Sequence, residues 1–328
     1  MTCPHVSPKE PSGASDIQTG YYGVPVIHGS HWRWLIVWYF FFGGISGSSA
    51  VIAAVARLSG GEESARLART ATYVSFAALL PCPPLLILDL GRPLRFLNML
   101  RTFRPTSPMS YGSWGLAAFG AISTLAVANQ VAQDAAERHG QPIGTVQRQA
   151  GVLLAALGAL SGFFVAGYTG TLLAATAVPL WAKRPALLGP LFLASAMTSG
   201  TAAVSGVHAL IPAGEGPITE RLHRLEAIST IAEGALLTAW LVSLGSTGKP
   251  LLEGRIGYTV LHGVVGAGMA LPLTLLAISG RLPRPLRRVA AVAAPALSLC
   301  GVLALRFAVV EAGRLSADDP QATFDLTT

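Results

Sequence analysis

From about residue 34 onward the chain alternates long apolar runs with short polar ones. A helix rises 1.5 Å per residue, so about 20 apolar residues are needed to cross roughly 30 Å of hydrocarbon. Runs of that length do not suit half-buried strands, which alternate and stop after a few residues. Eight runs meet the requirement, at about residues 34–57, 70–90, 111–131, 150–171, 187–211, 222–244, 256–279 and 286–310. The pattern predicts an all-α integral membrane protein of eight transmembrane helices. Residues 1–33 read as a polar arm and 314–328 as a polar tail. The arm is rich in Pro, Gly and Ser and lacks the basic start and apolar centre of a cleaved signal, so the first span is expected to direct membrane targeting.

Two connections modify this picture. Pro81, Pro83 and Pro84 fall inside the second run and predict a kink or break there. The longest connection, residues 89–114, carries Arg92, Arg95, Arg101 and Arg104, and its length marks a docking surface. In the first span Gly43, Gly44 and Gly47 would let another helix approach closely. The charged stretch 62–69 reads as a loop and helix start, and 133–149 as a polar loop.

Composition agrees with a membrane chain. Of 328 residues, 52% are hydrophobic and 12% charged, and a soluble domain carries about 25% charged residues. The net charge of +7 does not indicate nucleic acid, because the arginines sit between the apolar runs as loop anchors rather than on one polar face. Lysines and arginines divide evenly between the two sides of the membrane. With the four arginines of the second connection set aside for docking, the balance places both termini outside the cytoplasm. Cys3, Cys82 and Cys300 form no C-x-x-C pair, so the chain offers no cradle for an iron–sulfur cluster, zinc or covalently attached haem.

Ionisable groups within spans are costly and tend to be functional. His28 and His31 precede the first span among Trp32, Arg33, Trp34 and Trp38, and can exchange protons near neutral pH. Asp89, Arg92, Arg95 and Asn98 form either a structural cap or a basic docking platform, with Arg104 just beyond. Tyr168, between Gly167 and Gly170, is either an interfacial aromatic or a phenol able to bond a carbonyl ligand. His223, Glu226, Thr230 and Glu233 recur in steps of three and four, which places them on one helical face. Two acids on one face suggest a proton path or a buried ion site. His31, His208, His223 and His262 are the histidines a b-type haem would need.

Several segments resemble one family. Tyr39-Phe40-Phe41-Phe42-Gly43-Gly44, LDLGRPLRFLNML (88–100), FRPTSPMSYGSW (103–114), YTGTLL (168–173) followed by Pro179-Leu180-Trp181, and LRFAVVEAG (305–313) are similar, in order, to the NrfD/polysulfide reductase membrane-subunit family. The resemblance implies two four-helix bundles, here 34–173 and 174–313, with the connection at 89–110 as the docking loop. It implies a subunit without its own haem or iron–sulfur cluster, set in the bacterial inner membrane. Such a subunit exchanges electrons between menaquinone or ubiquinone and a ferredoxin-like [4Fe–4S] subunit, which relays to a molybdopterin or other catalytic subunit. In the polysulfide reductase member the quinone contacts an Asn and a His three residues apart and a Tyr on the fourth helix. By that resemblance His28, His31 and Tyr168 are the quinone residues here, with His28 in the Asn position. Asp89, Arg92, Arg95, Asn98 and Arg104 would dock the partner, and His223, Glu226 and Glu233 would line a proton path. The rival expectations are an ion or proton transporter without redox role, favoured by the acidic face and the proline-broken second span, and a b-type cytochrome.

Overall fold

The computed structural model describes residues 32, 34–90, 95–211 and 217–317, the side chain of Arg95 excepted. Among them, eight helical stretches are long and apolar enough to cross a membrane. The first is α1 (Trp34–Ser59). The second is α2 (Glu62–Leu79) continued by α3 (Cys82–Asp89), and a short α4 (Arg95–Arg101) follows. The third and fourth are α5 (Pro108–Arg138) and α6 (Thr145–Ala174), the latter leading to α7 (Pro179–Ala182). The fifth is α8 (Pro185–Leu210), and the sixth is α9 (Pro217–Leu244) with a short extension ending in α10 (Lys249–Leu252). The seventh joins α11 (Gly254–Tyr258), a π-helical segment (Thr259–Ala270) and α12 (Leu271–Ser279). The last is α13 (Arg284–Ala317).

The second span breaks between Leu80 and Pro81, as the prolines require. Pro81 has no N–H to continue the ladder, and Pro83 and Pro84 then sit in the first turn of α3, where missing donors cost nothing. Several helices outrun their apolar stretches. Residues 62–69 are helix rather than loop. Of the stretch 133–149, only residues 139–144 lie outside helices. The connection 89–114 holds α4 and the start of α5, and α13 carries on through Ala317 into the stretch expected to be tail. Hydropathy reports where hydrocarbon ends, whereas a helix continues into the polar zone wherever neighbours support it. Ser316 shows this: its hydroxyl accepts from the Leu180 N–H at 3.3 Å and donates to the Gly313 carbonyl at 2.8 Å.

The interior is built around α1, α8 and α13, while the other spans expose more of their surface. Small residues allow the close crossings. A Cβ on Gly47 would collide with the Gly162 carbonyl oxygen, so α1 and α6 meet backbone to backbone. Gly268 and Gly301 do the same for the π-helical segment and α13. Between α1 and α2 the join is polar. Ser46 Oγ donates to the Ser75 carbonyl at 2.7 Å, and Ser75 Oγ returns a bond to the Ser46 carbonyl at 2.8 Å. The first four spans pack as neighbours through α1–α2, α1–α6, α2–α5 and α5–α6, and α8 packs against both α1 and α6.

Candidate functional site

The polar face of α9 points inward. Leu222, Glu226, Ser229, Thr230, Glu233, Leu237 and Trp240 are buried in one stripe, and His223 is half-buried beside it. Ser229 and Thr230 spend their hydroxyls on the Glu226 carbonyl, so they do not serve either carboxylate. Glu226 Oε1 accepts from Ser298 Oγ of α13 at 3.0 Å, while Oε2 has no partner among the described residues. Two turns further along, Glu233 faces Ser195 and Thr198 of α8 and lies within electrostatic reach of Arg306 of α13. Arg306 is fully buried. Its Nη2 donates to the Phe192 carbonyl at 3.2 Å, and its guanidinium lies 4.0 Å over the Phe192 ring.

This cluster between α8, α9 and α13 leaves much of its hydrogen-bonding capacity unspent. Glu226 Oε2, Glu233 Oε1, Ser195 Oγ and Arg306 Nε and Nη1 are buried without partners among the described residues. Unpartnered buried polar atoms are rare, and an isolated charge at this depth is costly. Donors and acceptors facing one another in this state suit water, protons or a small ion. Periodicity does not single out Arg306, Ser195 or Ser298. Arg306 has a signal of its own, as the charged residue inside the last apolar run. The two serines have none, because hydroxyls are common in spans.

On the side where α1 begins and α6 ends, Tyr168 is half-buried. Its hydroxyl donates to the Pro108 carbonyl at the start of α5. Its ring stacks on Phe164 at 5.3 Å and lies over Gly112, filling the place a Cβ there would take. The YTGTLL and SPMSYGSW segments therefore fit together. So do Pro179-Leu180-Trp181 and the end of α13: Trp181 Nε1 donates to the Val309 carbonyl at 3.0 Å, and its ring fills the place of a Cβ on Gly313. Trp32 stacks on Trp181 with centroids 5.7 Å apart.

The remaining candidates divide. His28, His31 and Arg92 lie outside the described residues, as does the side chain of Arg95. Asp89 is half-buried at the end of α3 and engaged in an interaction there. Asn98 and Arg104 are exposed, beside the exposed Leu97, Phe103, Met109, Tyr111 and Trp114. His262 faces outward and stacks on Tyr258 at 4.2 Å. Among the described residues, no three His, Cys, Asp or Glu side chains gather as a metal site would need.

A second polar network closes the opposite end of the first four spans. Arg57 Nη2 donates to Gln130 at 2.5 Å, and Gln130 donates to Asp134 at 2.8 Å. Asp134 also accepts from Tyr73 at 2.7 Å and pairs with Arg69 at 2.9 Å. Arg57, Thr72, Ser75 and Ser123 line a cavity of about 30 Å³ nearby, room for about one or two waters.

Eight apolar spans that keep charged groups in their interior define a multi-pass membrane protein. The family model described as polysulphide reductase, NrfD, matches residues 27–317, and the chain belongs to that family. It is 30% identical to Protein NrfD of Escherichia coli (strain K12) over 311 residues, covering 87% of this chain and 95% of that protein. It is 27% identical to the C subunit of polysulfide reductase from Wolinella succinogenes over 309 residues, covering 86% of this chain and 94% of that protein.

Proposed function

We propose that this chain is the quinone-reactive membrane anchor of a multi-subunit oxidoreductase. It exchanges electrons between membrane quinone, as menaquinone or ubiquinone, and a ferredoxin-like [4Fe–4S] subunit that serves a molybdopterin or other catalytic subunit. The membership in the NrfD family supports the membrane and complex parts of this reading. The observation that carries the rest is the bond between Tyr168 and Pro108. Through it the candidate quinone tyrosine stands directly behind the connection that carries Asn98 and Arg104, so a partner docked there would sit within a short electron-transfer distance. The residues 34–173 and 174–313 would then act as two bundles with separate tasks.

Quinol oxidation releases two electrons and two protons. His28, His31 and Tyr168 would hold the ring, and the two imidazoles would take up the protons, while the electrons pass to the partner. The location would be the bacterial inner membrane, with the docking face outside the cytoplasm. The buried cluster of Glu226, Glu233 and Arg306 favours a second task, movement of protons through the later spans with His223 at its approach.

The test is quinol oxidation by the isolated complex. His31→Ala and Tyr168→Phe are expected to lower turnover at least tenfold with the complex still assembled. Normal turnover in both variants overturns the placement of the site. A chain that is stable alone and moves an ion without any redox partner overturns the function itself.

A further inference from the structure

A quinone carbonyl is only an acceptor, so the site needs donors. Tyr168 has spent its single O–H on the Pro108 carbonyl and retains only acceptor capacity. A second phenol lies at the same level, with no hydrogen-bond partner for its donor among the described residues. Tyr39 is 3% exposed, and its hydroxyl bonds to none of the described residues.

Two independent helix registers put Tyr39 there. Along the antiparallel pair α1 and α6, Gly47 meets Gly162 and Gly43 meets Val165. One turn nearer the start of α1, Tyr39 therefore stands level with Tyr168 and Thr169. Along α1 and the second span, Ser46 and Ser75 exchange hydrogen bonds. Seven residues back on α1 and seven forward past the break, Tyr39 is level with Cys82. Tyr39 shares the i, i+4 face of Gly43, which is the face turned to α6. Measured along the helices, Tyr39 lies about 8 Å in from the start of α1 and Tyr168 about 9 Å from the end of α6, so the two share one depth on the proposed docking side.

Cys82 does not consume the phenol. Its Sγ is occupied with the Ala78 carbonyl at 3.4 Å, and a thiol is a weak acceptor.

Resting on the quinone reading above, we infer that Tyr39 is a quinone-binding residue of this site and donates its phenol O–H to a quinone carbonyl. Tyr168 is the acceptor of the pair and receives the O–H of bound quinol. The two tyrosines thereby discriminate the oxidation states. Tyr39 favours the oxidised ring through its donor, and Tyr168 favours the reduced ring through its lone pair.

The experiment uses the full chain, within its complex, reconstituted in lipid nanodiscs. The probe is 2-heptyl-4-hydroxyquinoline N-oxide, whose fluorescence is quenched on binding and which is displaced by the short-chain quinone ubiquinone-1. Tyr39→Phe is expected to weaken binding of the oxidised quinone about tenfold, and Tyr168→Phe to weaken it less than threefold. The Tyr39→Phe variant should keep the wild-type apparent Tm, because the removed hydroxyl bonds to nothing within the described protein. Unchanged quinone binding in Tyr39→Phe overturns the inference while leaving the quinone site standing. A drop in Tm also overturns it, since the phenol would then be holding the fold. Failure of the wild-type protein to bind either compound overturns the quinone reading itself.

Discussion

Arg306 is a charged side chain buried completely within the last span. Its charge is fully buried and held by the ring and the carbonyl of Phe192, with Glu233 as its electrostatic counterpart. Removing one member of such an arrangement strands the other. Arg306→Met is therefore expected to cost about 3 kcal/mol or more, seen as a lower apparent Tm in detergent. The double variant Arg306→Met with Glu233→Gln should recover much of that loss, and additive losses in the two variants would show that the residues are not coupled. Glu226→Gln should behave differently. Its Ser298 bond can persist on the amide oxygen, so stability should change little while proton uptake into proteoliposomes falls. Unimpaired uptake would remove Glu226 from the proposed path. At this scale the sequence is informative about charges and silent about hydroxyls. The spacing of Glu226 and Glu233 tells which face they share, but nothing in it tells that Ser298 and Ser195 meet them from other helices.

Among helices, the decisive positions are glycines whose neighbours are backbone. Gly47→Val would drive a side chain into the Gly162 carbonyl and force α1 away from α6. Loss of folded protein on size-exclusion chromatography is expected, whereas Gly120→Val, with open space at its Cβ position, should elute normally. Equal behaviour of the two variants would refute the crossing. The glycines of α1 are legible as small residues at helical spacing. Which helix they receive is not, since that depends on a partner more than a hundred residues away. The break at Pro81 is readable for a local reason, the missing N–H. The true lengths of α2, α5, α6 and α13 are not, because tertiary support carries a helix past the last apolar residue.

For the whole molecule, the eight spans and their order follow from hydropathy, and the proposed docking side follows from one long connection. The exposed Leu97, Phe103, Met109, Tyr111 and Trp114 beside Arg101 and Arg104 give that side a surface suited to a partner. Arg101→Glu with Arg104→Glu is expected to reduce recovery of the proposed iron–sulfur subunit by affinity isolation several-fold, with the membrane chain still inserted. Full recovery would move the docking surface elsewhere. The buried Arg306 has a last consequence, for biosynthesis. An arginine inside a span raises the cost of moving a single helix from the translocon into lipid, by up to about 2.5–3.5 kcal/mol at the helix centre, and α9 bears two buried acids of its own. Neither segment is at ease alone in the bilayer. The ribosome delivers α9 first, so it should linger beside the translocon until α13 emerges and the opposite charges leave together. The final span would then act as the release signal for a helix synthesised well before it.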